Sequence, residues 1–390
     1  MSAKFVLVGV SFLLPIALLL RLFSDQMQGK IEFTERELRG TAYLRPLLEL
    51  QTILGEPNSV ELEKSAAGAW SRLDEAQAND GESLQFTDEG LGKRGRLGLD
   101  PRSMRERWEK VRAEGVGAGT RGLEADLRRM ITHAGDSSNL ILDPDLDTYY
   151  LMDVTLLALP HLLTELSRVS AAGASSGSAS FHSTLVKEET LPRVAASART
   201  AWIEDANFGG TLATLRPRLE EGLVALAKPQ KELIAAIESG IGDDRRLAAL
   251  TSRARWAGLA FWRVAAGELD ALLLMRVARL RGERNQAWAA CGIAVVVAGL
   301  LALYLLRSIT RPLGLIVRDL GPESTAMRRS AERLAVDQVR HTLSEEESRE
   351  LAAEMNQSSI LIRRVVVELS SQISGGSSEL ICRVEGIGRS

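Results

Sequence analysis

Cysteine and histidine are scarce in this 390-residue chain: two cysteines, Cys291 and Cys382, and four histidines scattered singly. Neither a disulfide framework nor a local Cys/His metal cluster can be built from them, so no metal is expected. An excess of one charge is also missing, since 48 Lys and Arg stand against 51 Asp and Glu, a net charge of −3 with an isoelectric point near 6.0. Gripping a phosphate backbone needs a concentrated basic excess, so nucleic acid is not an expected partner. Aromatic residues make up only 5% of the chain, and period-two runs of β-branched residues are absent, which argues against a β-sandwich. What is plentiful is Ala, Leu, Arg and Glu in long stretches, the composition of helices.

Two apolar runs organise the chain. Ala287 to Leu306, AWAACGIAVVVAGLLALYLL, carries no charge and at about 1.5 Å per residue reaches across a hydrocarbon core of about 30 Å. Phe5 to Leu20 is a second, shorter run, followed by Arg21, Leu22 and Phe23. A cleaved signal peptide is the competing reading, but no small-x-small site follows, so residues 5–23 are expected to be an uncleaved anchor. Lys4 before the first span and Arg307, Arg311 and Arg318 after the second place both ends in the cytoplasm. Residues 1–4 are then the cytoplasmic N-terminus, 24–286 an outer domain in the periplasm of a bacterium, and 287–306 the second span of a multi-pass inner-membrane protein surrounded by lipid.

The outer domain reads as helical throughout. Asp100-Pro101 opens PRSMRERWEKVRAE, Thr120 precedes a run stopping at Gly135, and Asp143-Pro144 opens DLDTYYLMDV with Pro144 at the first helical position. Gly242-Asp243 starts a long helix leading straight into the second span. Ala171 to Ser180, AAGASSGSAS, and Asn79 to Leu99 read as breaks. The fold class is therefore all-α: a membrane-anchored periplasmic bundle, as four helices or two stacked modules, with two transmembrane helices.

After the second span, Leu313, Val317, Leu320, Ser324, Met327, Ala331 and Leu334 alternate steps of four and three, and Leu351, Met355, Ser358, Ile362, Val365 and Leu369 repeat the pattern. Such seams belong to short cytoplasmic coiled coils and imply a homodimer. Here RSITRPLGLIV resembles the start of a HAMP linker, and Glu346-Glu347 with Leu351, Ala352, Met355 and Asn356 is similar to its second half, which gives a degenerate HAMP-like linker over 307–358. SNLILDPDLDTYYLMDV and ELRGTAYLRPLLEL resemble the sensor blocks of transmembrane methyl-accepting chemotaxis proteins, and SQISGGSSELICRVE is similar to the start of their signalling helix, here a shortened stretch at 359–390. The resemblance implies a signal-transduction receptor for a small periplasmic solute, lacking complete kinase-coupling output and able to form mixed dimers with intact chemoreceptors. A scaffold membrane protein, or a sensor subunit for another receptor, is the alternative.

Candidate ligand-binding residues are Tyr43, Arg45, Asp145, Asp147, Tyr149, Tyr150 and Asp153. The acids and phenols at one helix start suit a cation or amine, and an inward Arg45 suits a ligand carboxylate. Structural roles compete with both. Acids complement a helix N-terminus, Asp143 can cap it, and Arg45 can pair with Asp145 or Asp147. Calcium is disfavoured, because the glycine turn and distal Glu of a loop site are missing. The glycines of Gly117-Ala118-Gly119-Thr120-Arg121-Gly122 have dinucleotide spacing but follow a helix, so they read as a connector. His341, and likewise His133, His161 and His182, have no partnering motif, so neither an enzyme nor a cofactor is expected.

Overall fold

A computed structural model describes residues 2–54, 56, 60–114, 118–173, 177–207 and 212–319, at 2–13, 60–62, 118–119, 305–306 and 309–319 by the backbone alone. It divides into two units, Met1–Val295 and Val296–Ser390. Among the described residues there is no strand, in keeping with the all-α reading. The order is α1 (Ser2–Leu54), α2 (Val60–Asp80), α3 (Asp88–Lys93), α4 (Pro101–Glu114), α5 (Ala118–Ser137), α6 (Leu146–Met152), α7 (Leu159–Ala172), α8 (Gly177–Leu185), α9 (Leu191–Asn207), α10 (Leu215–Glu238) and α11 (Asp244–Asp319). The coiled-coil seams, the rest of the HAMP-like linker and residues 359–390 lie outside the described residues beyond Asp319.

Several helix starts fall where the sequence puts them. Asp100 Oδ1 accepts from the Ser103 backbone N–H at 2.9 Å ahead of α4, and Asp243 Oδ1 accepts from Arg245 N–H at 2.9 Å ahead of α11. Three expectations need correction. Helix α5 begins before Thr120 and runs through Gly135, because a glycine is needed there: a Cβ would meet Leu156 Cδ2 at 2.4 Å. Helix α8 takes up Gly177 to Ser180, so the small-residue break is shorter than AAGASSGSAS. Helix α6 begins at Leu146 with Asp145 at its N-cap position, leaving Pro144 outside the helix.

Two π-helical segments, Asp153–Ala158 and Val186–Thr190, each stop two residues before a proline, Pro160 and Pro192. A proline ring crowds the carbonyl four residues back and offers no N–H, and widening the preceding turn relieves both problems.

The first unit is centred on two antiparallel helices. Polar contacts join Gln28 of α1 to Arg284 of α11, Glu35 to Arg281, Glu37 to Arg276, Arg45 to Asp270, Glu49 to Arg263 and Gln51 to Arg255. Numbers rise along one helix as they fall along the other. Helix α1 also packs on α2 and α5, α6 on α9, and α7 on α8. Tyr43, Leu47, Leu127, Leu163, Phe261 and Trp262 belong to the main core, and Trp262 donates its indole N–H to the Thr155 carbonyl at 2.8 Å, filling a partner that the π turn leaves open. A smaller cluster of Met27, Ile31, Val277 and Leu280 continues the α1–α11 contact.

Beyond it the surface turns apolar. Ile293, Leu300, Leu301, Leu303 and Tyr304 are all exposed, and none of the apolar stretch of α11 is buried. By length and composition α11 can cross a membrane. On α1, Leu14, Ile16, Leu18, Leu19 and Leu22 are exposed, while the earlier side chains of the first apolar run lie outside the described residues.

Candidate functional site

The densest polar arrangement forms where the start of α6 meets the α1–α11 pair. Arg276 sits on α11 with Leu272, Leu273, Val277 and Leu280, all buried, so its guanidinium is carried into the interior at only 7% exposure. Four partners receive it there. Nη1 donates to Glu37 Oε2 of α1 at 3.1 Å, Nη2 to Asp143 Oδ1 at 2.8 Å and to Thr148 Oγ1 at 2.5 Å, and Nε lies 2.8 Å from Asp145 Oδ2. The planar fork of arginine is what allows three elements to be tied at once.

Charge is not balanced in this knot. Burial, and next the Asp143 carboxylate, push Glu37 up to about 9 against the pull of Arg276, so it holds a proton at neutral pH. Burial also raises Asp143, and raises Asp147 together with the charge of Asp145. Glu37 Oε1 and Asp143 Oδ2 are buried with no hydrogen-bond partner among the described residues. A cavity of about 300 Å³ opens beside the knot, lined by Asp145, Asp147, Thr148, Met275, Arg276 and Arg279. It offers a carboxylate with a raised proton affinity, Asp147, beside the exposed guanidinium of Arg279, which lies 3.9 Å from Asp145.

The residues singled out in the sequence are only partly brought together. Asp145 and Asp147 line the cavity, while Tyr149 and Tyr150 stand one turn further along α6 in edge contact at 5.5 Å, Tyr149 exposed and Tyr150 against the core. Asp153 opens the π segment and accepts from Ser197 Oγ at 2.6 Å and from Arg193 of α9. Tyr43 is fully buried elsewhere, stacked on Phe86 at 4.3 Å and donating to Gln77 Oε1 at 2.7 Å. Arg45 pairs with Asp270 rather than with Asp145 or Asp147. Asp143 does not cap the helix as expected: it stands two residues before the N-cap position, and its Oδ1 accepts from the Asp145 backbone N–H at 3.0 Å and from Thr148 Oγ1 at 2.7 Å.

Glu37 and Arg276, the centre of the knot, were not among the sequence candidates. A signal was there to read: Arg276 stands four residues after Leu272 and four before Leu280, a charge placed in an apolar seam.

Other buried charges serve the packing. Arg255, 1% exposed, donates to the Gln51 and Thr52 carbonyls in the last turn of α1, where helical partners run out. His133 accepts from Arg96 at Nδ1 (3.3 Å) and donates from Nε2 to the Gln85 carbonyl (3.1 Å), a tautomer that agrees with burial lowering its pKa and keeping it neutral. Glu165 joins Arg168 and His182, each at 2.7 Å. No grouping of His, Cys, Asp and Glu suited to a metal ion occurs among the described residues. Compared with protein-family models, with curated proteins and with solved structures, the chain matches none.

Proposed function

We propose that this chain is a dimeric transmembrane receptor of the chemoreceptor kind, in which a small polar solute in the outer domain changes the packing of α11 against α1. The observation that carries the reading is one helix: α11 holds Arg276 in the buried knot and, without interruption, the exposed apolar stretch suited to a membrane. A displacement at the knot acts on the same helix that carries that stretch. The cavity beside Asp147 and Arg279 is the solute site in this reading, since a ligand there contacts the same Arg276 and Asp145 that fix α11. Such a ligand acts only by binding one packing better than another. The domain between the two apolar runs is periplasmic, both ends are cytoplasmic, and residues 5–23 form the second anchor.

Topology tests this. In a bacterium expressing a Cys291→Ser/Cys382→Ser background, a cysteine at exposed Ala196 should react with a membrane-impermeant maleimide in intact cells. A cysteine at Ser390 should react only after permeabilisation. Labelling of Ser390→Cys but not Ala196→Cys in intact cells would overturn the receptor reading. A scaffold role shares the topology but predicts that no solute alters the α1–α11 packing.

A further inference from the structure

A second site lies away from the knot, between α9 and α10. A groove of about 840 Å³ runs there, lined by Leu191, Trp202, Leu223, Leu226, Ala227 and Ile234. Its size is that of a small-molecule site. The sequence keeps it open. Ala195, Ala227 and Ala235 present only methyl groups to it. Val224 at its edge is 73% exposed. Apolar surface gathered in a concave strip marks a place for a ligand.

The charges at its rim are unequal in their commitments. Glu238 is paired with Lys187 at 2.8 Å, and Glu220 with Arg216 at 3.2 Å. Arg199 and Lys231, both exposed, have no ion pair or hydrogen bond among the described residues. The groove therefore combines an apolar trough and an aromatic ring with two uncompensated cations. From this charge complementarity we infer that the α9–α10 groove binds a small water-soluble amphipathic carboxylate, its apolar body along Leu223, Leu226 and Trp202 and its head on Arg199 and Lys231. Neutral apolar solutes lack the contact with the cations, and inorganic anions lack the contact with the trough. The site stands independently of the receptor reading, because it needs only the α9–α10 packing.

Phenylbutyrate serves as the probe. It is titrated calorimetrically into the full chain in lipid nanodiscs, with empty nanodiscs as blank and phenylbutanol as the uncharged match. Saturable binding is expected, about tenfold weaker in Arg199→Gln/Lys231→Gln and about tenfold weaker for phenylbutanol. Ala227→Trp, which fills the trough, should abolish both. No saturable binding beyond the blank, or equal affinity in either variant, overturns the proposal. A Val224→Cys probe in the Cys291→Ser/Cys382→Ser background should react with maleimide at all protein concentrations and be protected by phenylbutyrate. Protection that instead grows with protein concentration, without phenylbutyrate, assigns the groove to a second copy of the chain and overturns the ligand site.

Discussion

Arg276 Nη1 lies 3.1 Å from Glu37 Oε2, joining the centre of α11 to α1, and both side chains are almost wholly buried. The same guanidinium binds Asp143 and Asp145 ahead of α6. Three chain segments far apart in sequence are thus held by one residue.

Removing that residue leaves the buried Asp143 carboxylate without its cation. Arg276→Met should destabilise the folded protein by about 3–5 kcal/mol, because desolvated charge loses its compensation. Arg276→Lys should recover only part of it, since an ammonium cannot reach Glu37, Asp143 and Asp145 in the fixed geometry of a fork. Thermal unfolding of the full chain in detergent, followed by helical circular dichroism, measures both. A lysine variant as stable as wild type would show that the fork geometry is unimportant.

Glu37 gives the stability a pH dependence. Burial and the neighbouring Asp143 and Asp145 raise its carboxyl from 4.5 to about 9, while Arg276 and Thr34 oppose the rise. Between those values the folded chain keeps a proton that the unfolded chain has released, so stability falls as pH rises through that window. Glu37→Gln removes the titration. Its unfolding midpoint should vary less between pH 5 and pH 9, at values set by the raised window, and should exceed that of wild type at the alkaline end. An unchanged slope would locate the dependence in other groups.

Close helix approach makes a third expectation. A Cβ on Gly40 of α1 would stand 2.3 Å from Ser138 Cβ and 2.9 Å from Leu140 Cδ1, so Gly40→Ala should cost about 1–3 kcal/mol through overpacking. Gly29 has nothing within 4 Å of the same added atom, and Gly29→Ala should be neutral or stabilising by up to about 1 kcal/mol. Equal effects of the two substitutions would contradict the packing described for α1.

Periodicity made the long elements legible: α4 and α11 follow from apolar spacing and from caps such as Asp100 and Asp243. Boundaries that depend on tertiary contact were not legible. Gly135 looks like a helix stop until Leu156 is seen against it, and Asp143 looks like a cap until Arg276 claims its carboxylate. The site was half visible for the same reason. Acid clustering pointed to Asp145 and Asp147, but the pairing of Arg45 with Asp270 depends on the register of α11 against α1, which no local pattern contains. The two π segments follow from Pro160 and Pro192 only once the helices around them are known to continue.

The central claim is that the Glu37–Arg276–Asp143 knot sets how α11 lies against α1 on the way to the apolar stretch. Spin labels at Lys30→Cys and Glu283→Cys, in the Cys291→Ser/Cys382→Ser background, report this directly by pulsed electron resonance in nanodiscs. The account predicts one narrow distance distribution in wild type, the same in Arg279→Gln, and a shifted or broadened one in Arg276→Gln under conditions where its helical content is intact. An Arg276→Gln distribution that superimposes on wild type would contradict it.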